Sequence, residues 1–154
     1  MKILFVCHGN ICRSPMAEFV MKDLVHKAHR DSEFEIASAA TSTEEIGNAV
    51  YPPARRKLAE HGIRCDGHAA RQITRSDYDY YDIIIGMDSY NLRNMRRIFG
   101  DDTEGKIHLL MEFPQSSGSF IRDVADPWYT GDFEATWRDV LEGCTALLKT
   151  LSAP

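Results

Sequence analysis

Residues 2–18 read KILFVCHGNICRSPMAE, and the order of residue types in this stretch decides the architecture. ILFV (3–6) is an unbroken apolar run, as in strands buried on both faces of a parallel sheet. From Ser14-Pro15 onward the pattern becomes helical, with serine as N-cap and proline in the first helical position. Ala17, Val20, Met21, Leu24, Val25 and Ala28 then fall on one face. Between strand and helix lies the loop CHGNICR (7–13). The alternation continues along the chain. FEIAS (34–38), DIIIG (82–86) and KIHLL (106–110) read as strands. Helices are predicted from Pro52-Pro53 to Gly62, from near Asp88 through Leu92, Met95 and Ile98 to Gly100, and from Phe133 to Leu151. The last keeps its apolar period through Trp137, Val140, Leu141, Cys144, Leu147 and Leu148. Alternating strands and helices imply right-handed crossovers and an α/β fold: an open, doubly wound, four-stranded parallel sheet with helices on both faces. PQSSGS (114–119) and DVADPWYTG (123–131) read as surface loops, and DYDYYD (77–82) as a turn into the third strand.

The chain as a whole narrows the function. Its 154 residues suit a single domain, 1–154, and 44% hydrophobic with 27% charged residues is ordinary globular composition. A formal charge of −5 offers no general attraction to nucleic acid or to an anionic membrane, so an anionic substrate needs a local field. The chain opens on MKILFVC with no charged leader, and its apolar runs are too short to span a bilayer. Four cysteines, at 7, 12, 65 and 144, are too sparse for a disulfide scaffold, which points to a reducing, cytoplasmic setting. They also lack the paired spacing of a structural zinc site, so neither metal nor cofactor is expected. The oligomeric state is not set by the sequence; a monomer is the simplest form.

In open α/β sheets ligands bind beyond the carboxyl ends of the strands, which is where CHGNICR sits. A strand–loop–helix turn there presents converging backbone N–H groups to an anion. Gly9 is permissive, and Asn10 tolerates the left-handed region. Neither the Walker pattern nor G-x-G-x-x-G is present. Instead the loop is bounded by Cys7 and Arg13, so a thiol lies beneath the anion and a guanidinium beside it. A thiol near a helix N-terminus and an arginine is readily ionised and nucleophilic. The arginine fork can hold two phosphate oxygens, and Ser14 can donate a hydrogen bond to the thiolate.

VCHGNICRSPMAE (6–18) resembles the signature of the low-molecular-weight protein-tyrosine phosphatase family. The likeness continues through SAATS (38–42), EIGN (45–48), HGI (61–63), ARQIT (70–74), MDSYNLR (87–93) and DPWY (126–129). It implies phosphotyrosine hydrolysis through a phosphocysteine on Cys7, with Arg13 binding phosphate. Asp126 would be the general acid and then the general base, and tyrosine-phosphorylated proteins the substrates. It further implies that Asn10, Ser14, Ser38 and His68 form a polar network supporting the loop. The substrate would meet His8, Gly9, Asn10, Ile11, Cys12, Ser14, Glu44, Trp128 and Tyr129.

From the residues alone, Pro127 biases Asp126 toward extended backbone, and Asp-Pro can equally start a turn before the last helix. Displacing a tyrosine phenolate calls for a proton donor, which favours the catalytic reading. The sequence departs from the family at His8, commonly apolar, and at Glu44, commonly aromatic; an acidic rim there would favour basic residues flanking the phosphotyrosine. Cys12 has two open readings, an inert core thiol or a redox partner that protects Cys7. Two rival functions share the loop. A thioredoxin-coupled arsenate reductase needs relay cysteines, and 87–102 contains none. A non-catalytic phosphate-recognition module would not need the thiol and the acid, which are both present.

Overall fold

A computed structural model describes residues 1–114 and 120–152. Strands β1 (Lys2–Cys7), β2 (Glu35–Ala40), β3 (Ile83–Gly86) and β4 (Ile107–Leu109) form an all-parallel sheet in the order β2-β1-β3-β4. The helices are α1 (Arg13–Lys27), α2 (Pro52–Glu60), α3 (Arg75–Tyr80), α4 (Ser89–Phe99), α5 (Pro127–Thr130) and α6 (Phe133–Ser152). From central β1 the chain moves first to β2 on one side and later to β3 on the other. The order therefore reverses at the carboxyl end of β1, and Cys7 is its last residue.

Alternation along β1 sorts the core. Ile3 and Phe5 pack with Met16, Val20, Ile85, Val140, Cys144 and Leu147 beneath α1 and α6. Leu4 and Val6 pack with Tyr78, Ile84, Met95 and Phe99 beneath α3 and α4. Both faces of the sheet are covered, which is why the strands read as continuous apolar runs. At Gly86 a Cβ would lie 2.9 Å from side-chain carbons of Leu92 and Met95. A side chain there would push these two ends aside and crowd Asn91 Cβ at 3.2 Å, so glycine eases the close start of α4.

Several expectations are corrected. Helix α1 begins at Arg13, with Cys12 in the N-cap position and no side-chain cap, so Ser14 is not the cap. The Ser14 N–H instead points at Cys7 Sγ (3.4 Å), and Met16 N already bonds Cys12 O at 3.0 Å. Pro15 is tolerated because the first four helical N–H groups have no intrahelical acceptor. Ala28 ends the helix exposed. Ser38 lies inside β2, which continues to Ala40. The 77–82 segment is mostly helical, the end of α3, whose start is fixed by a Thr74–Asp77 capping box. The 123–131 stretch contains α5. Of the predicted 114–119 loop, all but the first residue lies outside the described residues.

Candidate active site

The loop after β1 closes on the sulfur of Cys7. Asn10 adopts φ 61°, the left-handed conformation that lets the loop turn back. Its N–H lies 3.3 Å from Cys7 Sγ, the Ser14 N–H 3.4 Å and the Ser14 hydroxyl 3.0 Å. Three donors converging on one sulfur suit a thiolate.

The bonding partners fix the direction of that hydroxyl. Asn10 Nδ2 donates to both Ser14 Oγ and Ser38 Oγ, each at 2.9 Å. Ser38 in turn donates to Glu18 Oε1 (2.5 Å), a carboxylate whose other oxygen accepts from Lys22. Ser14 Oγ accepts from Asn10, which leaves its proton free for Cys7. The Asn10 carbonyl accepts from His68 Nε2 (2.8 Å), which makes that ring nitrogen the protonated one, and Asn10 Oδ1 accepts from Arg71 N at 3.2 Å. Asn10 and Ser14, named above with the substrate-binding residues, are fully buried and lie outside the cavity lining.

Arg13 is buried, 2% exposed, at the start of α1. Nη1 donates to Asp88 Oδ2 (2.7 Å) and to the Val124 carbonyl (3.0 Å), while Nη2 reaches Asp126 Oδ2 at 3.3 Å. Burial opposes its charge, but Cys7, Asp126 and Asp88 outweigh that and raise its pKa. Asp126 caps α5, its Oδ1 accepting from Trp128 N at 3.0 Å. Oδ1 thus starts the turn while Oδ2 faces Arg13, so capping α5 leaves one carboxylate oxygen at the site.

A cavity of about 380 Å³ opens over this floor. It is lined by Cys7, His8, Gly9, Ile11, Cys12 and Arg13 from the loop, by Glu44 and Glu45, and by Asp126, Trp128 and Tyr129. Trp128 is braced by Tyr51, ring centroids 4.9 Å apart, and Tyr51 stacks on Phe133 at 6.2 Å. On the opposite lip His8 Nε2 and Glu44 Oε2 are 3.0 Å apart, and Glu45 accepts from Asn48 Nδ2 at 2.5 Å. Burial, then the negative charges of Cys7 and Asp126, push the Cys12 thiol up to about 12 despite Arg13.

Sequence reasoning missed Glu45, Asp88, Glu18 and Tyr51. Asp88 lies within the quoted MDSYNLR motif, and its N-cap position at the end of β3 was a usable signal. Tyr51 carried none, because its contact with Trp128 spans 77 positions of chain.

The family model for low molecular weight phosphotyrosine protein phosphatase matches residues 2–154. The low molecular weight protein-tyrosine-phosphatase YfkJ of Bacillus subtilis is 38% identical over 149 residues, 97% of this chain and 94% of that protein. Its crystal structure aligns with a TM-score of 0.93 at 37% identity, covering 98% of this chain and 94% of that one. The low molecular weight phosphotyrosine protein phosphatase of Rattus norvegicus is 40% identical over 151 residues, 96% of this chain and 93% of the rat protein. The low molecular weight protein tyrosine phosphatase of Streptococcus pyogenes aligns with a TM-score of 0.86 at 40% identity, covering 99% of this chain and 93% of that one.

Proposed function

The chain belongs to the low-molecular-weight phosphotyrosine protein phosphatase family and is a hydrolase of phosphotyrosine; we propose that it works through a phosphocysteine on Cys7. The observation carrying this reading is the Cys7 sulfur, held by three donors beneath a cavity that also contains Arg13 and Asp126. Phosphate oxygens arriving at Arg13 displace Asp126 from Nη2, its longest contact with a carboxylate. The freed Asp126 carboxylate takes up a proton from the incoming phosphate monoanion. The thiolate attacks phosphorus, the bond from phosphorus to the tyrosine oxygen breaks, and Asp126 passes that proton to the oxygen. The Asp126 carboxylate then takes a proton from the water that attacks the phosphocysteine, releasing inorganic phosphate and the thiolate. Loop N–H groups and Arg13 hold the charge on the phosphoryl oxygens, so the route needs no metal or cofactor.

Trp128 and Tyr129 form one wall for the substrate ring, and His8, Gly9, Ile11 and Cys12 the floor and the other side. Glu44 and Glu45 make the rim acidic, which favours tyrosine-phosphorylated proteins with basic residues beside the phosphotyrosine. No described helix is long and apolar enough to cross a membrane. We place the protein in the cytoplasm, acting on soluble phosphoproteins without nucleic acid.

The test is hydrolysis of an aryl phosphate in the presence of a chelator by wild type, Cys7→Ser and Asp126→Ala, with phosphotyrosine and phosphoserine peptides in parallel. Wild type should be active and selective for phosphotyrosine, Asp126→Ala slowed but still turning over, and Cys7→Ser inactive; turnover by Cys7→Ser overturns the mechanism.

A further inference from the structure

Residues 120–126 form no regular element, yet their backbone and side chains are tied to three different parts of the fold. Val124 N donates to the Met87 carbonyl (2.8 Å) beyond β3, and its own carbonyl accepts from Arg13. Asp123 accepts from Ser89 N and Oγ at the start of α4, at 3.1 and 3.4 Å. The third tie is to α6. Arg122 forks onto Asp139 with Nη1–Oδ2 at 2.8 Å and Nη2–Oδ1 at 2.5 Å, and the Thr136 hydroxyl lies 3.4 Å from the Ala125 carbonyl. Thr136 and Asp139 are three residues apart on one helix, hence neighbours on one face. Helix α6 therefore grips the loop at position 122 and touches it at 125, where the one Thr136 proton is shared with the Asp132 carbonyl at 3.3 Å; Asp126 is the next residue.

We propose that the Arg122–Asp139 pair is a positioning clamp for Asp126, fixing the loop on α6 so that the carboxyl is aimed at the leaving-group oxygen. This rests on the phosphatase reading above. Two parallel N–H···O bonds set orientation as well as distance, which a single lysine contact does not. The side chains are 33% and 16% exposed, so the pair is partly shielded from solvent. Displacing a catalytic group by about 1 Å can cost on the order of a hundredfold in rate. With the Val124 and Asp123 ties intact, the loss expected is about tenfold.

A misaimed acid hurts most where the leaving group needs its proton most. The experiment measures kcat/KM for phenyl phosphate and for p-nitrophenyl phosphate, whose phenol is more acidic, in wild type, Arg122→Ala, Arg122→Lys and Asp139→Asn. Since kcat/KM reports the step that expels the phenol, Arg122→Ala should lose about tenfold on phenyl phosphate and no more than about threefold on the nitrophenyl ester. Asp139→Asn should show the same selective loss, with Arg122→Lys in between. Competitive inhibition by inorganic phosphate should be unchanged, since the anion loop is not altered. Equal losses on both esters, or none, overturn the clamp. A wild type inactive on both esters overturns the phosphatase reading itself, and the clamp with it.

Discussion

Asp88→Asn isolates the anchor of the phosphate-binding arginine. Asp88 has two tasks: Oδ2 accepts from Arg13 at 2.7 Å, and Oδ1 caps α4 by accepting from Asn91 N at 2.8 Å. Asparagine caps helices about as well as aspartate, so the cap survives while the charge and the acceptor facing Arg13 are lost. The new amide also turns a donor toward the Arg13 donors. Breaking a fully buried pair costs about 3–5 kcal/mol. Arg13 keeps Val124 O and Asp126, however, and Asp88 is 15% exposed, which brings the expected loss to about 2–3 kcal/mol. With a urea m-value of about 2 kcal/mol per molar, the unfolding midpoint should fall by about 1–1.5 M. Asp88→Ala, which loses the cap as well, should cost about 1 kcal/mol more. Arg13 in Asp88→Asn turns further onto Asp126, so KM for aryl phosphates should rise about tenfold, equivalent to about 1.4 kcal/mol. A midpoint within about 0.2 M of wild type, with unchanged KM, would refute the assignment of Asp88 as the anchor.

Three further predictions concern groups around the site and in the fold. With its thiol pushed up to about 12, Cys12 should remain unalkylated by iodoacetamide at neutral pH while Cys7 is labelled, and inorganic phosphate should protect Cys7; peptide mass spectrometry showing Cys12 labelled first would contradict this. Asp102 is opposed by burial, but donors from Tyr78 Oη (2.6 Å), Lys106 N (2.8 Å) and Ile107 N (3.1 Å) outweigh it and lower its pKa. Its folded pKa lies below the unfolded value of about 3.9, so its stabilisation is present above that pH and lost as pH falls through the folded pKa. Asp102→Asn should therefore lose stability less steeply below about pH 4 in acid denaturation, and an unchanged slope would contradict this. For Glu44, one unit charge about 7 Å from a flanking charge in water is worth about 0.6 kcal/mol, or about threefold. Phosphopeptides with flanking Lys should exceed those with Glu in kcat/KM, and Glu44→Gln should shrink the gap; equal values in wild type would exclude a charged rim.

The fold was legible because its strands are buried on both faces and its helices announce themselves. Pro52-Pro53, Asp88, Gly62 and Gly100 mark helix ends, and Gly62 and Gly100 have the positive φ, 72° and 85°, that such positions require. The start of α1 was misread for a functional reason. A serine before a proline is a good cap by local chemistry, but here the sulfur of Cys7 draws the Ser14 N–H and hydroxyl. Helix α3 was missed because DYDYYD has no apolar period; the spacing of Thr74 and Asp77, three apart at its start, was an unused signal. In the site, Cys7, Arg13 and Asp126 were readable because each is the residue type that phosphoryl transfer needs. Of their supports, Asn10, Ser14, Ser38 and His68 came through the family motifs, whereas Glu18 and Asp139 act through hydrogen bonds that only the folded chain creates. The acidic rim was half visible: Glu44 stood out, whereas its pairing with His8 depends on two loops meeting.

Turnover by the proposed route puts a covalent phosphoryl group on one sulfur. Wild type and Asp126→Ala, turning over p-nitrophenyl phosphate, would be quenched in acid within the first turnovers and digested for peptide mass spectrometry. The mass of one phosphoryl group should appear on the peptide containing Cys7, at the sulfur of Cys7 and not of Cys12. It should be more abundant in Asp126→Ala, because the base that drives hydrolysis of the intermediate is gone. Catalytic turnover with no phosphoryl group on Cys7 in either protein, or with the group on another residue, would contradict the account.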